Sequence, residues 1–180
     1  GGCVQHSPPT EGRNSSWLAP AGFGGDWSAA IGGLLSFDMR QSTNPVSIPV
    51  WLTIEGAGIT LFHTNVRDAR LRPVGNRWQR YRAHLDVGGG WKRDRCDGPA
   101  ATIADFQAVF AAVTRVSIRA EFREGAELNE LDNVMLIAPS LGLPASNFDT
   151  DLQGWWIVDD AQAPVWESDG ATGGWFRCDD

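Results

Sequence analysis

Apolar and polar residues alternate with a period of two along much of this chain, and that pattern restricts it to a β-rich fold. Leu35, Phe37 and Met39 are each followed by a polar residue, and the run VSIRAEFR at residues 116–123 continues the pattern over eight positions. Glycine and proline turns separate such runs, as at the predicted hairpin turn Gly56-Ala57-Gly58. Because successive strand side chains point to opposite faces, the sequence predicts an antiparallel β-sandwich.

A single helix is predicted to interrupt the strands. Thr102 followed three residues later by Asp105 is typical of a helix N-cap, and apolar residues then recur at helical spacing as far as Ala112: Ile103, Phe106, Val109 and Phe110. This apolar stripe is predicted to cover one end of the sandwich core. The core itself is predicted to contain the apolar side of the alternating strands: Phe37, Leu52, Ile54, Tyr81, Ile118, Phe122 and Val134.

Length and composition favour one domain with an appendage. The chain has 180 residues, with nine tryptophans, 21 glycines and ten prolines, which favour strands joined by tight turns. Its net charge of −7 argues against non-specific binding of nucleic acid, despite six arginines between residues 67 and 82. No segment approaches the 18 apolar residues of a membrane span. The first residues include neither a methionine nor a hydrophobic leader, which indicates either a removed signal or a segment of a larger product.

The sequence contains no motif that predicts catalysis. It has no nucleophile elbow, phosphate loop or dinucleotide fingerprint, and its three histidines lie far apart. The carboxylates of Asp38, Glu55 and Glu121 fall on polar strand faces, where a pair could act on a glycosidic bond. A solvated sheet face is the favoured interpretation, and we predict that the chain is not an enzyme. The three cysteines lack CxxC spacing, so no zinc site is expected.

The polar faces of several strands predict a surface that could bind a glycan or another subunit. Tryptophan beside arginine and acidic side chains suits both sugar stacking and a subunit contact. If the strands are neighbours, one face would contain Trp51, Thr53, Glu55, Arg80, Arg82, His84, Arg119 and Glu121.

Several segments, taken together and in order, resemble the laminin B (laminin IV) domain, in the form found in bacterial secreted and surface proteins. They are APAGFGGDWSAAIGGLLSFDMRQ at 19–41, VWLTIEGAGITLFH at 50–63, RWQRYRAHLD at 77–86, VSIRAEFREG at 116–125 and ELDNVMLIAP at 130–139. The resemblance implies a jelly-roll β-sandwich related to galactose-binding-like and carbohydrate-binding modules. It also implies an extracellular or cell-surface location and no catalytic activity. We expect no cofactor other than a possible structural calcium ion.

The order of the segments departs from this family pattern. Bacterial members begin with a strand like SNFDTDLQGWWIVDD, which here stands at residues 146–160, near the end of the chain. A strand that follows a Gly-Gly pair, here called the Gly-Gly strand, also occurs twice, as GGCVQHS at 1–7 and as GGWFRCD at 173–179. We therefore predict a body at 1–139, a linker at 140–145, and a segment at 146–180 that completes a sandwich.

Three interpretations of the displaced segment remain open. It could complete the sandwich of a neighbouring subunit, complete its own sandwich, or belong to a tandem array from which the chain is cut. Donation to a neighbour is the favoured one, because one copy of the Gly-Gly strand would be redundant if the chain closed on itself. An incomplete sandwich leaves unpaired strand edges that an incoming strand can cover, and head-to-tail donation that does not close on itself produces a filament. Carbohydrate binding is the alternative function. The residues predicted to mediate assembly are Phe148, Asp149, Trp155, Trp156, Trp166 and Trp175.

Two further expectations concern ions and cysteines. In related sandwiches the regions of Asp132, Asp149 and Asp151 can hold a structural calcium ion, although turn-forming caps are the favoured role here. Cys3 and Cys178 lie on the two copies of the Gly-Gly strand. If donation occurs between chains, these two cysteines could form an intermolecular disulfide.

Overall fold

The structure is a computed structural model that describes residues 3–6, 15–42, 51–64, 75–122, 127–139, 142–146 and 156–158. At His6, Trp51, Thr64, 142–146 and 156–158 it describes the backbone alone. These residues form eleven strands and one α-helix: β1 Val4–His6, β2 Ser16–Leu18, β3 Leu34–Gln41, β4 Trp51–Gly56, β5 Ile59–Thr64, β6 Gln79–His84, β7 Lys92–Arg93, α1 Ile103–Phe110, β8 Val113–Arg119, β9 Asn129–Ile137, β10 Gly142–Ser146 and β11 Trp156–Val158.

The first sheet is built around β9. Its strands run in the order β1-β9-β3-β6, and β10 also pairs with β9, on the half that β1 leaves open. All pairs are antiparallel. The β3–β9 ladder changes register between Ser36 and Asp38, opposite Asn133, whose φ of 50° is left-handed. An asparagine tolerates this conformation, so the β-bulge has a local cause.

The second sheet has the order β11-β2-β8-β4-β5-β7, again with antiparallel pairing. The predicted hairpin is present between β4 and β5. Gly56 pairs with Ile59, and the two residues between them, Ala57 and Gly58, have φ angles of 50° and 73°. Two positive φ angles in a two-residue loop match the twist of the flanking strands.

The core lies between the two sheets, as the alternation predicts. All seven predicted core residues are at most 2% exposed, and Phe37 stacks on Tyr81 with ring centroids 5.3 Å apart. The prediction of an antiparallel β-sandwich with one short helix is therefore confirmed. Each buried residue of this size contributes roughly 1.5–3 kcal/mol relative to an exposed position.

Helix α1 begins where the sequence predicts. Thr102 and Asp105 form a reciprocal capping box, with the Asp105 amide donating to Thr102 Oγ1 at 3.2 Å. Phe106 and Phe110 are fully buried, but Ile103 is 51% exposed. Its predicted place on the apolar stripe is therefore wrong, because the first residue of the helix points away from the sandwich.

The chain after β9 differs from the predicted linker. Gly142–Ser146 forms β10, which pairs with the C-terminal half of β9. Pro144 is compatible with this strand because β10 has β9 on one side only in the described sheet. Farther along, β11 pairs with β2 of the same chain, with Trp156 opposite Leu18 and Val158 opposite Ser16.

Candidate interaction surfaces

Seven of the eight residues predicted to share one polar face lie on strands of two different sheets, and Glu121 follows the end of β8. Arg80, Arg82 and His84 are exposed on β6 in the first sheet. Trp51, Thr53 and Glu55 lie on β4 in the second sheet. The predicted single surface is therefore wrong, because alternation identifies the face of each strand but not its neighbours.

Arg119 and Glu121 are buried rather than available to a ligand. They are 4% and 3% exposed. Arg119 Nε donates to the backbone oxygen of Glu121 at 2.6 Å, and Ser15 Oγ donates to Glu121 Oε2 at 3.2 Å. These bonds hold the end of β8 against the residues before β2. The carboxylates of Asp38, Glu55 and Glu121 are also separated. Asp38 belongs to the first sheet, whereas Glu55 lies opposite Arg115 on β8 and Glu121 follows the end of that strand.

One polar network occupies the outer face of the first sheet. Arg80 donates to both carboxylate oxygens of Asp38, at 2.7 and 2.6 Å, and Asn133 Nδ2 donates to Asp38 Oδ2 at 2.9 Å. Burial alone would raise the pKa of Asp38, but the bonds from Arg80 and Asn133 outweigh it and hold the pKa below its ordinary value. Arg82 and His84 extend this face along β6.

A second network joins β1 to β9. Glu130 is 1% exposed, and its carboxylate accepts hydrogen bonds from two nitrogens of Arg40 and from Gln5 Nε2. The Cys3 thiol donates to the same carboxylate at 3.6 Å. Burial, followed by the charge of Glu130, raises the pKa of Cys3 to about 11. The thiol is therefore protonated at neutral pH and is a poor nucleophile.

Trp78 is a surface residue that was not predicted from the sequence. Its side chain is 42% exposed, and the Arg40 guanidinium carbon lies 5.3 Å from its ring centroid. Trp78 stands immediately before β6, two residues from Arg80, so the alternation of that strand could have placed it on the polar face. Exposed tryptophan next to arginine and acidic side chains is the composition that the sequence analysis expected on a different set of strands.

An open, largely apolar cavity of about 440 Å³ lies beside β2 and β8. It adjoins the position where Leu18 pairs with Trp156 of β11. Its lining consists of Leu18, Ala19, Pro20, Ala21, Gly24, Thr114, Arg115 and Val116. The cavity therefore lies at the sheet edge to which the C-terminal segment adds a strand.

Much of the predicted assembly segment lies outside the described residues: Phe148, Asp149, Asp151, Trp155, Trp166, Trp175 and Cys178. Trp156 is described by its backbone in β11. The Asp132 carboxylate lies within β9 and accepts a hydrogen bond from the adjacent Asn133 amide at 2.6 Å, beside the β-bulge. Within the described ranges, no group of three or more His, Cys, Asp or Glu residues is arranged to hold a metal ion. The calcium site and the Cys3–Cys178 bond stay predictions.

Comparison with known proteins identifies the family. The family model for laminin B (domain IV) matches residues 16–147, nearly three quarters of the chain. The chain belongs to the laminin B family. This family consists of structural, non-enzymatic modules of extracellular proteins. Among solved structures, the laminin B fold of this chain is similar to the L4b domain of human laminin alpha-2, with a TM-score of 0.58, 15% identity and 70% of each chain covered.

No curated protein matches the chain. In the part of the chain that the structure describes, no helix has the length and hydropathy needed to cross a membrane.

Proposed function

We propose that this laminin B chain is a non-catalytic structural module, extracellular or on a cell surface, that assembles with copies of itself by strand donation into a filament or array. The observation that carries the proposal is that β1 and β10 together already occupy the described edge of β9, so the second copy of the Gly-Gly strand would need another edge. β10 adds to β9 in the first sheet and β11 adds to β2 in the second. The same backbone registers can accept the corresponding strands of another copy.

The duplicated Gly-Gly strand supports donation between copies. The N-terminal copy supplies β1, which pairs with residues Asn129, Glu130 and Leu131 of β9. β10 pairs with the other half of the same strand. In the described sheet, both halves of this β9 edge are thus already in use. The C-terminal copy at residues 173–178 would need the β9 edge of a second sandwich.

The distribution of charge also sets the C-terminal segment apart. Residues 146–180 contain eight acidic side chains and one arginine, which accounts for the whole net charge of −7. The preceding 145 residues carry equal numbers of acidic and basic side chains. An acidic segment is attracted to the exposed arginines of a second, neutral body and is repelled by another acidic segment. This difference favours head-to-tail order over random association.

Aromatic burial supplies a driving force for assembly. The segment contains four tryptophans and two phenylalanines. Each contributes roughly 1.5–3 kcal/mol when it moves from water into a packed sheet edge. If left exposed, aromatic groups of this number would form a large apolar patch, and such patches mark contact sites.

The test joins β2 to β11 by a disulfide. In a background with Cys3→Ser, Cys96→Ser and Cys178→Ser, one variant carries Ser16→Cys and a second carries Val158→Cys, two residues that pair in register. The two proteins are unfolded, mixed, refolded and oxidised. Donation between copies predicts a covalent heterodimer on non-reducing electrophoresis, and the double variant should form a ladder.

Closure within one chain predicts a different pattern. The double variant would then give only a monomer with an internal disulfide, and the mixture would give no heterodimer. A matched control replaces Ser16→Cys by Ala104→Cys, an exposed helix position remote from β2. The control should give no specific heterodimer. Electron microscopy of the unmodified protein then shows whether the donated chains form filaments.

Carbohydrate binding is a second candidate, and the exposed ring of Trp78 favours it. This ring lies on the face that carries Asp38, Arg80, Arg82 and His84. Aromatic platforms with adjacent polar side chains recognise sugars. Binding on a glycan array that Trp78→Ala abolishes, with Trp27→Phe as a buried control, would support this function. Retained binding in Trp78→Ala would remove the face from consideration.

A further inference from the structure

We propose that the edge of β9 at Asn129, Glu130 and Leu131 is a strand-exchange site, where residues 173–178 of a second copy replace β1. The proposal rests on the proposed assembly function and assigns its partner and its position. Three backbone positions define the site, with Val4 opposite Leu131, Gln5 opposite Glu130 and His6 opposite Asn129.

The two copies of the Gly-Gly strand correspond position by position. Counting from the glycine pair, GGCVQH aligns with GGWFRC. Val4, which is 4% exposed and belongs to the hydrophobic core, corresponds to Phe176. Gln5 corresponds to Arg177. At these two positions the alternation is preserved, with an apolar residue toward the core and a polar residue on the outer face, and Trp175 would take the outer-face position of Cys3.

Arg177 suits the polar position opposite Glu130 better than Gln5 does. Gln5 donates a neutral amide hydrogen to the carboxylate of Glu130, which is buried and already bonded to Arg40. A guanidinium at the same register would offer a charge-assisted bond to a carboxylate. In the same register, Phe176 would bring more apolar area to the core edge than Val4 does. Both differences favour exchange over retention of β1.

Release of β1 has a chemical consequence at Cys3. In its place on β9 the thiol lies next to the Glu130 carboxylate, and burial raises its pKa from 9.0 to about 11. Displacement removes both effects. At pH 8 the thiolate fraction would rise by up to about a hundredfold. The alkylation rate of Cys3 therefore reports whether β1 occupies the site.

The experiment uses the full chain with Cys96→Ser and Cys178→Ser, so that Cys3 is its one thiol. A peptide of residues 173–179, with Ser in place of Cys178, is added at increasing concentration, and alkylation of Cys3 is followed by mass spectrometry at pH 8. We expect the rate to rise at least tenfold and to saturate. A matched peptide with Arg177→Gln should need about tenfold higher concentration, because it offers only a neutral hydrogen bond.

Two controls restrict the interpretation. A full-chain variant with Cys3→Ser and Cys178→Ser retains Cys96, and its alkylation should not respond to the peptide. The receptor variant Glu130→Gln should remove the difference between the arginine and glutamine peptides, provided that its circular dichroism matches the parent. If its spectrum differs, the comparison of the two peptides on the parent chain decides the question.

The outcomes separate this inference from the assembly function. A Cys3 rate that stays at the slow value of the protected thiol at every concentration of either peptide overturns the exchange site. Assembly with Cys3 still protected also overturns it, and assigns the contact to another edge. A peptide that accelerates Cys3 on a chain that stays monomeric supports the exchange site and refutes assembly.

Discussion

Acidification from pH 7 to pH 4 should destabilise this protein through one buried histidine. His63 lies in the core on β5, 6% exposed, with its ring 4.8 Å from that of Trp91. Burial lowers the pKa of His63 from 6.5 to about 4, and a hydrogen bond to the Gly89 backbone only partly opposes it. The folded protein therefore keeps the imidazole neutral over a range in which the unfolded chain binds a proton.

The sign and size of the effect follow from these two pKa values. Above about pH 6.5 neither state is protonated at His63, so stability does not depend on this group. As the pH falls from 6.5 to about 4, the unfolded state binds the proton first and stability is lost. Each pH unit in this window costs about 1.4 kcal/mol, so the total is roughly 3 kcal/mol. That is a large part of the stability of a typical domain.

The assay is urea unfolding followed by far-ultraviolet circular dichroism at pH 7, 5.5 and 4, for the parent and for His63→Phe. Phenylalanine retains an aromatic ring next to Trp91 but does not titrate. We expect the parent to lose roughly 3 kcal/mol and the variant to lose far less in this window. Equal losses in both proteins would refute the assignment and transfer the pH dependence to other groups.

Four further changes test the fold. Ile118→Ala, at a fully buried position, should cost about 2–5 kcal/mol in chemical unfolding. Thr102→Ala removes one half of the capping box and should cost roughly 0.5–2 kcal/mol, which Thr102→Ser should largely restore. Gly56→Ala places a Cβ 2.4 Å from the oxygen of Val109 and should cost roughly 1–3 kcal/mol, with Ala57→Ser, an exposed neighbour, as its control. Deleting residues 146–180 should lower the unfolding midpoint, and adding the segment as a peptide should restore it. A stable truncated monomer whose midpoint does not respond to the peptide would contradict donation.

The alternation of the sequence predicted the strands and their buried faces well, because a half-buried strand imposes that pattern directly. Phe37, Tyr81 and Ile118 each have the predicted burial. The helix start at Thr102 was also predictable, since the capping box is a local hydrogen-bonded structure. Such features depend on residues a few positions apart.

The predicted polar face failed for a different physical reason. Its residues were grouped by character, but the contacts between strands are set by the order in which distant segments pair. That order brings β6 to β3 and brings β4 to β8. The pattern within each strand contains no information about this choice, so Arg80 and Glu55 were assigned to one surface although they lie on separate sheets.

Under our proposal, the same dependence on distant pairing suits this chain to exchange between copies. β10 and β11 are joined by residues 147–155, nine residues that reach at most about 30 Å when extended. A connection of this length gives a high effective concentration for closure within one chain. Contacts that both arrangements share, such as β11 on β2, cannot favour assembly over that closure. Only an interaction that the single chain cannot make can do so. Under our proposal, the second Gly-Gly strand is that interaction, because β1 already occupies its place on β9. The dependence of assembly on Arg177 and Glu130 should therefore exceed its dependence on the pairing of β11.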